Sequence, residues 1–344
     1  MRRAIYVYYE AACEDMCAKM NDEELKETAE ALDLDADQGR DNIINALGET
    51  LRDEAYLSDV FALMMPEDLG LMRQFVSRES VIMASLSEEL ALDSLYENSL
   101  VYASGDIVFV PVDIVDVFAA EDTDDFKALN ERLSWLDACE KTAALYYGVM
   151  RDEDFLSLYN THHALGVRLE DLEALLDRMP ESDNAFVHED GLMIAEEAYE
   201  DKDKILAMHA GMDVTYPDET EIHDIAVYGY PYRQAAMKEM FAFLSAYTKD
   251  DYDTCELMSG VWEEDVVNGE PVRLMQDLAL TANIPTEDVI RLSHVFLNMH
   301  AATRKLTNNG ATPGDMIRKG HMPDFEELFK GVDLSAAMKD LQGD

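Results

Sequence analysis

Apolar residues recur at three- and four-residue spacing along much of this 344-residue chain, which is the pattern of amphipathic helices. Proline and glycine interrupt the pattern at short intervals, where they end helices or form turns. At two places in the chain, short apolar runs instead lie on either side of a glycine-containing turn, as in β-hairpins. We therefore predict a mainly α, multi-helical fold with two small β-hairpins. The clearest helical stripe consists of Val289, Leu292, Val295, Phe296 and Met299.

Two segments share one predicted order of elements, three helices followed by a hairpin. The first hairpin turns at Ser104-Gly105-Asp106 and the second at Glu189-Asp190-Gly191. Glycine and Asp-Gly turns favour tight connections between antiparallel strands. Three helices with a two-stranded wing are the outline of a winged helix, so we predict tandem winged-helix-like units at residues 56–130 and 131–210. A connector and C-terminal helical domain would then occupy residues 211–344.

The N-terminal module, residues 1–55, contains two predicted helices around an aspartate-rich turn. Gly39, Arg40 and the apolar stripe that follows resemble the SAP or Rho-N-terminal-like helical module. That resemblance implies nucleic-acid binding through basic residues around the turn. Arg40 is surrounded by acids here, so the alternative is a module that serves only for packing. The stripe is Ile43, Ile44 and Leu47, and the acids are Asp33, Asp35, Asp37 and Asp41.

A motif near the C-terminus resembles a second group of proteins. The signature N-N-T-R-x-W-x-x-x-G-x-T-P-x-E-L occurs in uncharacterised helical proteins of Gram-positive bacteria, a group associated with SEC-C tails. Leu306 stands here where tryptophan is common, and Asp315-Met316 replaces Glu-Leu. The group implies no activity that could be transferred, and the SEC-C cysteine motif does not occur in this sequence. The matching residues are Thr303, Arg304, Gly310, Thr312 and Pro313.

Charge is the outlying property of the composition, with 73 acidic against 27 basic residues and a net charge of −46. Such a surface repels nucleic-acid phosphates and anionic lipids and favours basic partners. Residues 291–321 depart from this balance, with five bases and one acid. We predict an anion or partner contact there; the alternative for Arg304 is a structural bond to backbone carbonyls or a carboxylate. The five bases are Arg291, Arg304, Lys305, Arg318 and Lys319.

Catalytic and metal-binding motifs are missing from the sequence. It contains no Gly-x-Ser-x-Gly, no phosphate-binding glycine loop and no His-Glu-x-x-His. Cys13 and Cys17 are four apart, and no second pair follows to complete a zinc site. We therefore expect no catalytic residues, no metal and no cofactor.

The leading functional hypothesis is a non-enzymatic protein-interaction or regulatory adaptor that binds a protein partner. The acidity of this chain suggests that the partner is basic. One alternative is nucleic-acid binding through the C-terminal basic cluster, and another is an acidic nucleic-acid mimic that sequesters a basic protein. No signal-peptide core or apolar stretch of membrane-spanning length occurs. We expect a cytoplasmic protein with reduced thiols and no membrane contact.

Overall fold

The fold is mainly α with two small sheets, as predicted from the helical periodicity. The computed structural model describes residues 3–32, 34–179, 186–267 and 270–320. The chain divides into two compact units, and the division falls within one long helix. The first unit holds residues 1–137 and 178–181, and the second holds 138–177 and 182–344.

The first unit contains four strands and eight helices among its described residues, the last helix continuing past the division. In chain order they are β1 (Arg3–Glu10), α1 (Cys13–Cys17), α2 (Asp22–Ala31), α3 (Arg40–Thr50), α4 (Glu54–Leu63), α5 (Pro66–Ser77), β2 (Ser80–Met83), α6 (Leu86–Glu97), β3 (Tyr102–Ser104), β4 (Ile107–Pro111), α7 (Val112–Glu121) and α8 (Asp124–Tyr146).

The predicted first hairpin is present as β3 and β4, with Gly105 at φ +60° in its turn. It belongs to a larger sheet with the strand order β2-β1-β4-β3. Strand β1 pairs antiparallel with β2 and parallel with β4. Sequence analysis missed β1 and β2, which extend the predicted hairpin into a four-stranded sheet. The N-terminal segment 1–55 and the segment 56–130 share one unit because β1 lies inside this sheet.

The sheet of the first unit buries one face and leaves the β1 tyrosines of the other face exposed. Ile5, Val7 and Val108 are buried on the first of these faces, where α1, α5 and α7 pack against the strands. Side chains along a strand alternate between the two faces, so the neighbours of Ile5 and Val7 in β1 point to the opposite face. Tyr6 and Tyr8 lie on that second face and remain exposed.

The predicted helical pair of the N-terminal module is present as α2 and α3. Asn21 caps α2 by accepting bonds from the backbone of Glu23 and Glu24 at 2.9 and 3.0 Å. Ile43 and Leu47 are buried on α3. Arg40 binds Asp22 and donates to the carbonyls of Ala18 and Met20 at 3.1 and 2.7 Å. Arg40 is thus engaged by residues of the same unit.

The second unit begins within α8. The elements that follow are β5 (Val149–Arg151), α9 (Asp152–Tyr159), α10 (Leu169–Leu176), β6 (Phe186–Glu189), β7 (Leu192–Ala195), α11 (Lys202–His209), α12 (Glu219–Tyr228), α13 (Ala235–Leu244), α14 (Asp251–Val267), α15 (Pro271–Thr281), α16 (Val289–Ala302) and α17 (Pro313–Arg318), with short 3-10 helices at Glu196–Asp201, Thr286–Asp288 and Leu306–Asn308.

The predicted second hairpin is β6 and β7, and it too is extended, by β5, in the order β5-β7-β6. Its turn has Asp190 at φ +53° and Gly191 at φ +78°, the left-handed conformations that a tight two-residue turn requires. Apolar periodicity in the sequence predicts a helix from Trp135 to Met150, but α8 ends at Tyr146 because Gly148 at φ +66° turns the chain into β5. The sequence also predicts a third helix of this unit from Leu169 to Met179 that ends at Pro180, and Pro180 lies outside the described residues. Residues 321–344 of the predicted C-terminal domain lie outside them too.

Candidate functional site

Arg304, the central residue of the C-terminal motif, lies just after α16 and forms a buried ion pair. Its Nε is 2.9 Å from Oε1 of Glu221, and its side chain is 14% exposed. Nη1 donates to the carbonyl oxygen of Gly310 at 2.8 Å and to that of Thr215 at 3.4 Å. Arg304 therefore binds backbone carbonyls and one carboxylate, as the structural interpretation of this residue expected.

Two tyrosines at the end of α8 complete this cluster. The hydroxyl of Tyr146 donates to the same Glu221 oxygen at 2.8 Å, and that of Tyr147 donates to the Thr215 carbonyl at 2.8 Å. Burial, with the charge of Glu221, raises the pKa of Tyr146 well above its ordinary value. The phenol therefore stays protonated and acts as a donor. Every polar group named in this cluster has a partner within the second unit.

Lys305, the neighbour of Arg304, enters a different buried network. Its Nζ lies 2.7 Å from Oδ2 of Asp265 and also donates to the backbone carbonyl of Asp265. Nδ1 of His300 is 2.7 Å from the other carboxylate oxygen. Burial lowers the pKa of Lys305 to about 8, and Asp265 opposes that shift. Burial acts to raise the pKa of Asp265, but His300 and Lys305 outweigh it and hold that pKa below its usual range.

The other motif residues build the corner between α16 and α17. Thr303 is buried, and its hydroxyl donates to the carbonyl of Met299 at 2.9 Å. Gly310 adopts φ +76°, and a Cβ there would lie 2.5 Å from the Tyr147 ring and 2.6 Å from the Thr215 oxygen. Thr312 caps α17, with Pro313 in its first turn. The motif thus specifies a tightly packed corner.

The structure does not gather the five predicted basic residues at one site. Arg304 and Lys305 are engaged with different carboxylates. Arg318 and Lys319 are exposed, and Arg318 pairs with Asp315. Arg291 lies on α16, with its guanidinium 5.3 Å from the centre of the Phe243 ring.

Arg291 also lines an open cleft of about 590 Å³. Carboxylates and a histidine share this cleft with it, so the cleft lacks a dominant positive charge. It is lined in addition by Glu239, Ala242, Glu287, Ile290, His294 and Val295. Among the described residues, no three His, Cys, Asp or Glu side chains are placed to hold a metal ion. No helix in the described ranges is long and apolar enough to cross a membrane.

The exposed face of the first unit's sheet is a feature that sequence analysis missed. Tyr6 and Tyr8 are each 53% exposed. Tyr8 lies opposite Phe109 of β4, which in turn lies opposite Tyr102 of β3. Ile82 of β2 is exposed on the adjoining edge. The alternation of Ile5 and Val7 with tyrosines was the available signal of a strand with one outward aromatic face.

The rings on this face are in contact with one another. Ring centroids of Tyr8 and Phe109 are 6.0 Å apart, those of Phe109 and Tyr102 6.2 Å, and those of Tyr102 and Tyr96 6.1 Å. We call Tyr6, Tyr8, Tyr102 and Phe109 the aromatic face. Tyr8, Phe109 and Tyr102 form a continuous row of rings across three paired strands, and Tyr6 projects from the same side of β1.

Comparison with known proteins gave no match to a family model, a curated protein or a solved structure. The resemblances to the SAP-like module and to the SEC-C-associated group therefore stay predictions.

Proposed function

We propose that this chain is a non-enzymatic, cytoplasmic protein-interaction adaptor that docks a protein partner on the aromatic face of its first unit. The observation that carries the proposal is the exposure of Tyr6 and Tyr8 in the middle of a paired sheet. Contiguous exposed apolar surface on a folded protein is characteristic of interaction sites. Tyrosine is also among the residues that contribute most to protein interfaces.

The sheet gives this surface the properties of a preformed site. Tyr6 is paired with both β2 and β4, and Tyr8 is paired with β4, so the backbone of both tyrosines is fixed before any partner arrives. Tyrosine has few rotatable bonds, and ordering it on binding costs little conformational entropy. A partner would therefore bury aromatic area without reorganising the sheet.

The contacts of the C-terminal bases favour a protein partner over nucleic acid. Arg304 and Lys305 already neutralise Glu221 and Asp265, so binding a phosphate would have to break buried ion pairs. Helix α10, the third helix of the second predicted winged-helix-like unit, exposes Glu170, Asp171 and Glu173. Such a helix would be repelled from a DNA groove. The nucleic-acid mimic remains an alternative that the acidity suggests.

Site-specific photocrosslinking in the cytoplasm of the producing cell tests the proposal. A photoreactive phenylalanine analogue replaces Tyr8 in one variant and Tyr199, a 42% exposed tyrosine of the second unit, in the matched control. We expect a protein adduct that forms at position 8 and not at position 199. Adducts to nucleic acid alone, or identical adducts at both positions, would contradict the proposal.

A charge reversal tests the nucleic-acid alternative without disturbing the buried pairs. Arg318→Glu/Lys319→Glu changes only exposed side chains, one of which pairs with Asp315. The proposal predicts that this variant keeps the position 8 adduct. Loss of that adduct together with loss of bound RNA or DNA would support the C-terminal cluster instead.

A further inference from the structure

We infer that the aromatic face takes a cationic segment of the partner, with arginine or lysine side chains seated on its rings. This inference rests on the proposed function and names the chemistry of the partner. Aromatic faces attract cations through the negative potential above the ring, and the attraction grows when water is excluded.

A cation of this chain already occupies one position on the face. Nζ of Lys19 lies 4.5 Å from the centre of the Phe109 ring. The same ammonium is 3.2 Å from Oε1 of Glu10, and the lysine side chain is 36% exposed. Lys19 thus shows that an ammonium can sit over this face with a carboxylate beside it. Tyr6 and Tyr8 offer further exposed rings on the same side of β1.

Carboxylates lie beside Tyr102 of this face and beside its neighbour Tyr96. The hydroxyl of Tyr102 donates to Oε2 of Glu24 at 3.4 Å. Burial raises the pKa of Tyr96, and the negative charges of Glu24 and Glu27 raise it further. Arg3, a base at the start of β1, is paired with Glu89 at 2.6 Å. The neighbourhood of the aromatic face is therefore negative.

The net charge of residues 1–137 also favours a cationic partner. Residues 1–137 contain 32 acidic and 10 basic residues. A field of that sign attracts a cationic segment and speeds its association. It also opposes a nucleic acid, whose bases could otherwise stack on exposed aromatic rings. Ring chemistry and charge together select arginine or lysine.

Binding of a defined peptide tests the inference. The probe is a short peptide of alternating arginine and glycine, and its control is the same peptide with neutral citrulline for arginine. Calorimetry at physiological ionic strength measures both affinities. We expect the citrulline peptide to bind at least about tenfold more weakly, because ~1.4 kcal/mol is within reach of a few ring–cation contacts.

Because so acidic a protein attracts any arginine peptide, the decisive comparison holds the charge constant. Tyr6→Leu/Tyr8→Leu keeps apolar side chains on β1 but removes two rings. Tyr199→Leu is the matched control, since Lys202 Nζ lies 5.1 Å from that ring in the second unit. We expect about tenfold weaker binding in the double variant and unchanged binding in the control.

Several results would overturn the inference. The first is that wild type and Tyr6→Leu/Tyr8→Leu bind the arginine peptide equally tightly. The second is that wild type binds the citrulline peptide as tightly as the arginine peptide. The third is that wild type binds oligothymidylate more tightly than the arginine peptide. Concentration-dependent dimerisation that the double variant abolishes would assign the face to a second copy. A photocrosslinked partner without a basic segment would refute the cationic chemistry while leaving the proposed function standing. Crosslinking to no protein would refute the proposed function itself.

Discussion

Arg304 and Glu221 form a buried ion pair, 83 residues apart in the chain, with 2.9 Å between Nε and Oε1. Tyr146 donates to the same oxygen. The pair fastens the end of α16 to α12 and to the end of α8, so the motif around Arg304 is explained by its contacts inside the second unit.

Removal of one partner of this pair should destabilise the second unit strongly. In Arg304→Met, Glu221 would keep a buried charge with only the Tyr146 hydroxyl as donor among the contacts described above, and such losses cost about 3–5 kcal/mol. The double variant Arg304→Met/Glu221→Leu should recover part of that loss. Urea unfolding followed by Trp262 fluorescence in a Trp135→Phe background measures both, because Trp262 is buried 6.0 Å from the Tyr146 ring. Equal stability of wild type and Arg304→Met would contradict the account.

Stability that depends on Lys305 should rise with pH above 8. Burial lowers the pKa of the folded lysine to about 8 from 10.5. Between these values the unfolded chain binds more protons at this position than the folded protein, so the free energy of unfolding increases with pH. The free energy of unfolding of wild type minus that of Lys305→Met should therefore become more positive from pH 8 towards 10.5, by at most about 3 kcal/mol. Urea unfolding at stepped pH measures this difference, and a difference that stays constant or becomes more negative would show that the pKa shift is absent.

Gly310→Ala should cost more than the ordinary penalty for a left-handed residue. The added Cβ would meet the Tyr147 ring at 2.5 Å and the Thr215 oxygen at 2.6 Å. Gly211→Ala is the matched control, since Gly211 also has a positive φ, +81°, with nothing within 4 Å of its Cβ position. We expect about 1 kcal/mol for the control and about 2–3 kcal/mol or more for Gly310→Ala, measured by the same unfolding assay. Equal losses of stability in the two variants would mean that the residues around Gly310 move to accommodate the Cβ at little cost.

Asn130→Ala should destabilise the first unit. The Asn130 amide donates to the carbonyls of Phe61, Ala62 and Met64 at 3.1, 3.1 and 2.8 Å, where α4 ends. Alanine would leave these buried acceptors without that donor, at about 1–3 kcal/mol. Hydrogen-exchange mass spectrometry of peptides covering α4 should show faster exchange than in the control Asn45→Ala, which alters an exposed residue of α3. Unchanged protection of α4 would contradict this role.

The helices and both hairpins could be predicted because their signals are local. Apolar periodicity and capping residues such as Asn21 define helices, and Gly105 and Gly191 require turns. Strands β2 and β5 contain four and three residues, too few for a periodic signal, and they form through pairing with distant strands. Strand β1 does carry a local signal, the alternation of buried Ile5 and Val7 with exposed tyrosines.

The candidate sites were less accessible from the sequence. The bond of Arg304 to an acidic side chain was foreseen as an alternative, but Glu221 could not be selected among 73 acids. Lys305 reaches Asp265, 40 residues away, through the packing of α14 near the α16 corner. The aromatic face joins Tyr8 to Phe109, about a hundred residues on, and only the parallel register of β1 and β4 brings them together.

The most direct test of the docking proposal is a quantitative comparison of proteins retained from nuclease-treated lysate of the producing cell. Wild type, Tyr6→Ser/Tyr8→Ser and Tyr199→Ser serve as baits, after circular dichroism has shown equal folding. The account predicts a protein that wild type and Tyr199→Ser retain, that Tyr6→Ser/Tyr8→Ser loses, and that matches the adduct crosslinked at position 8. Identical sets of retained proteins for all three baits would contradict it.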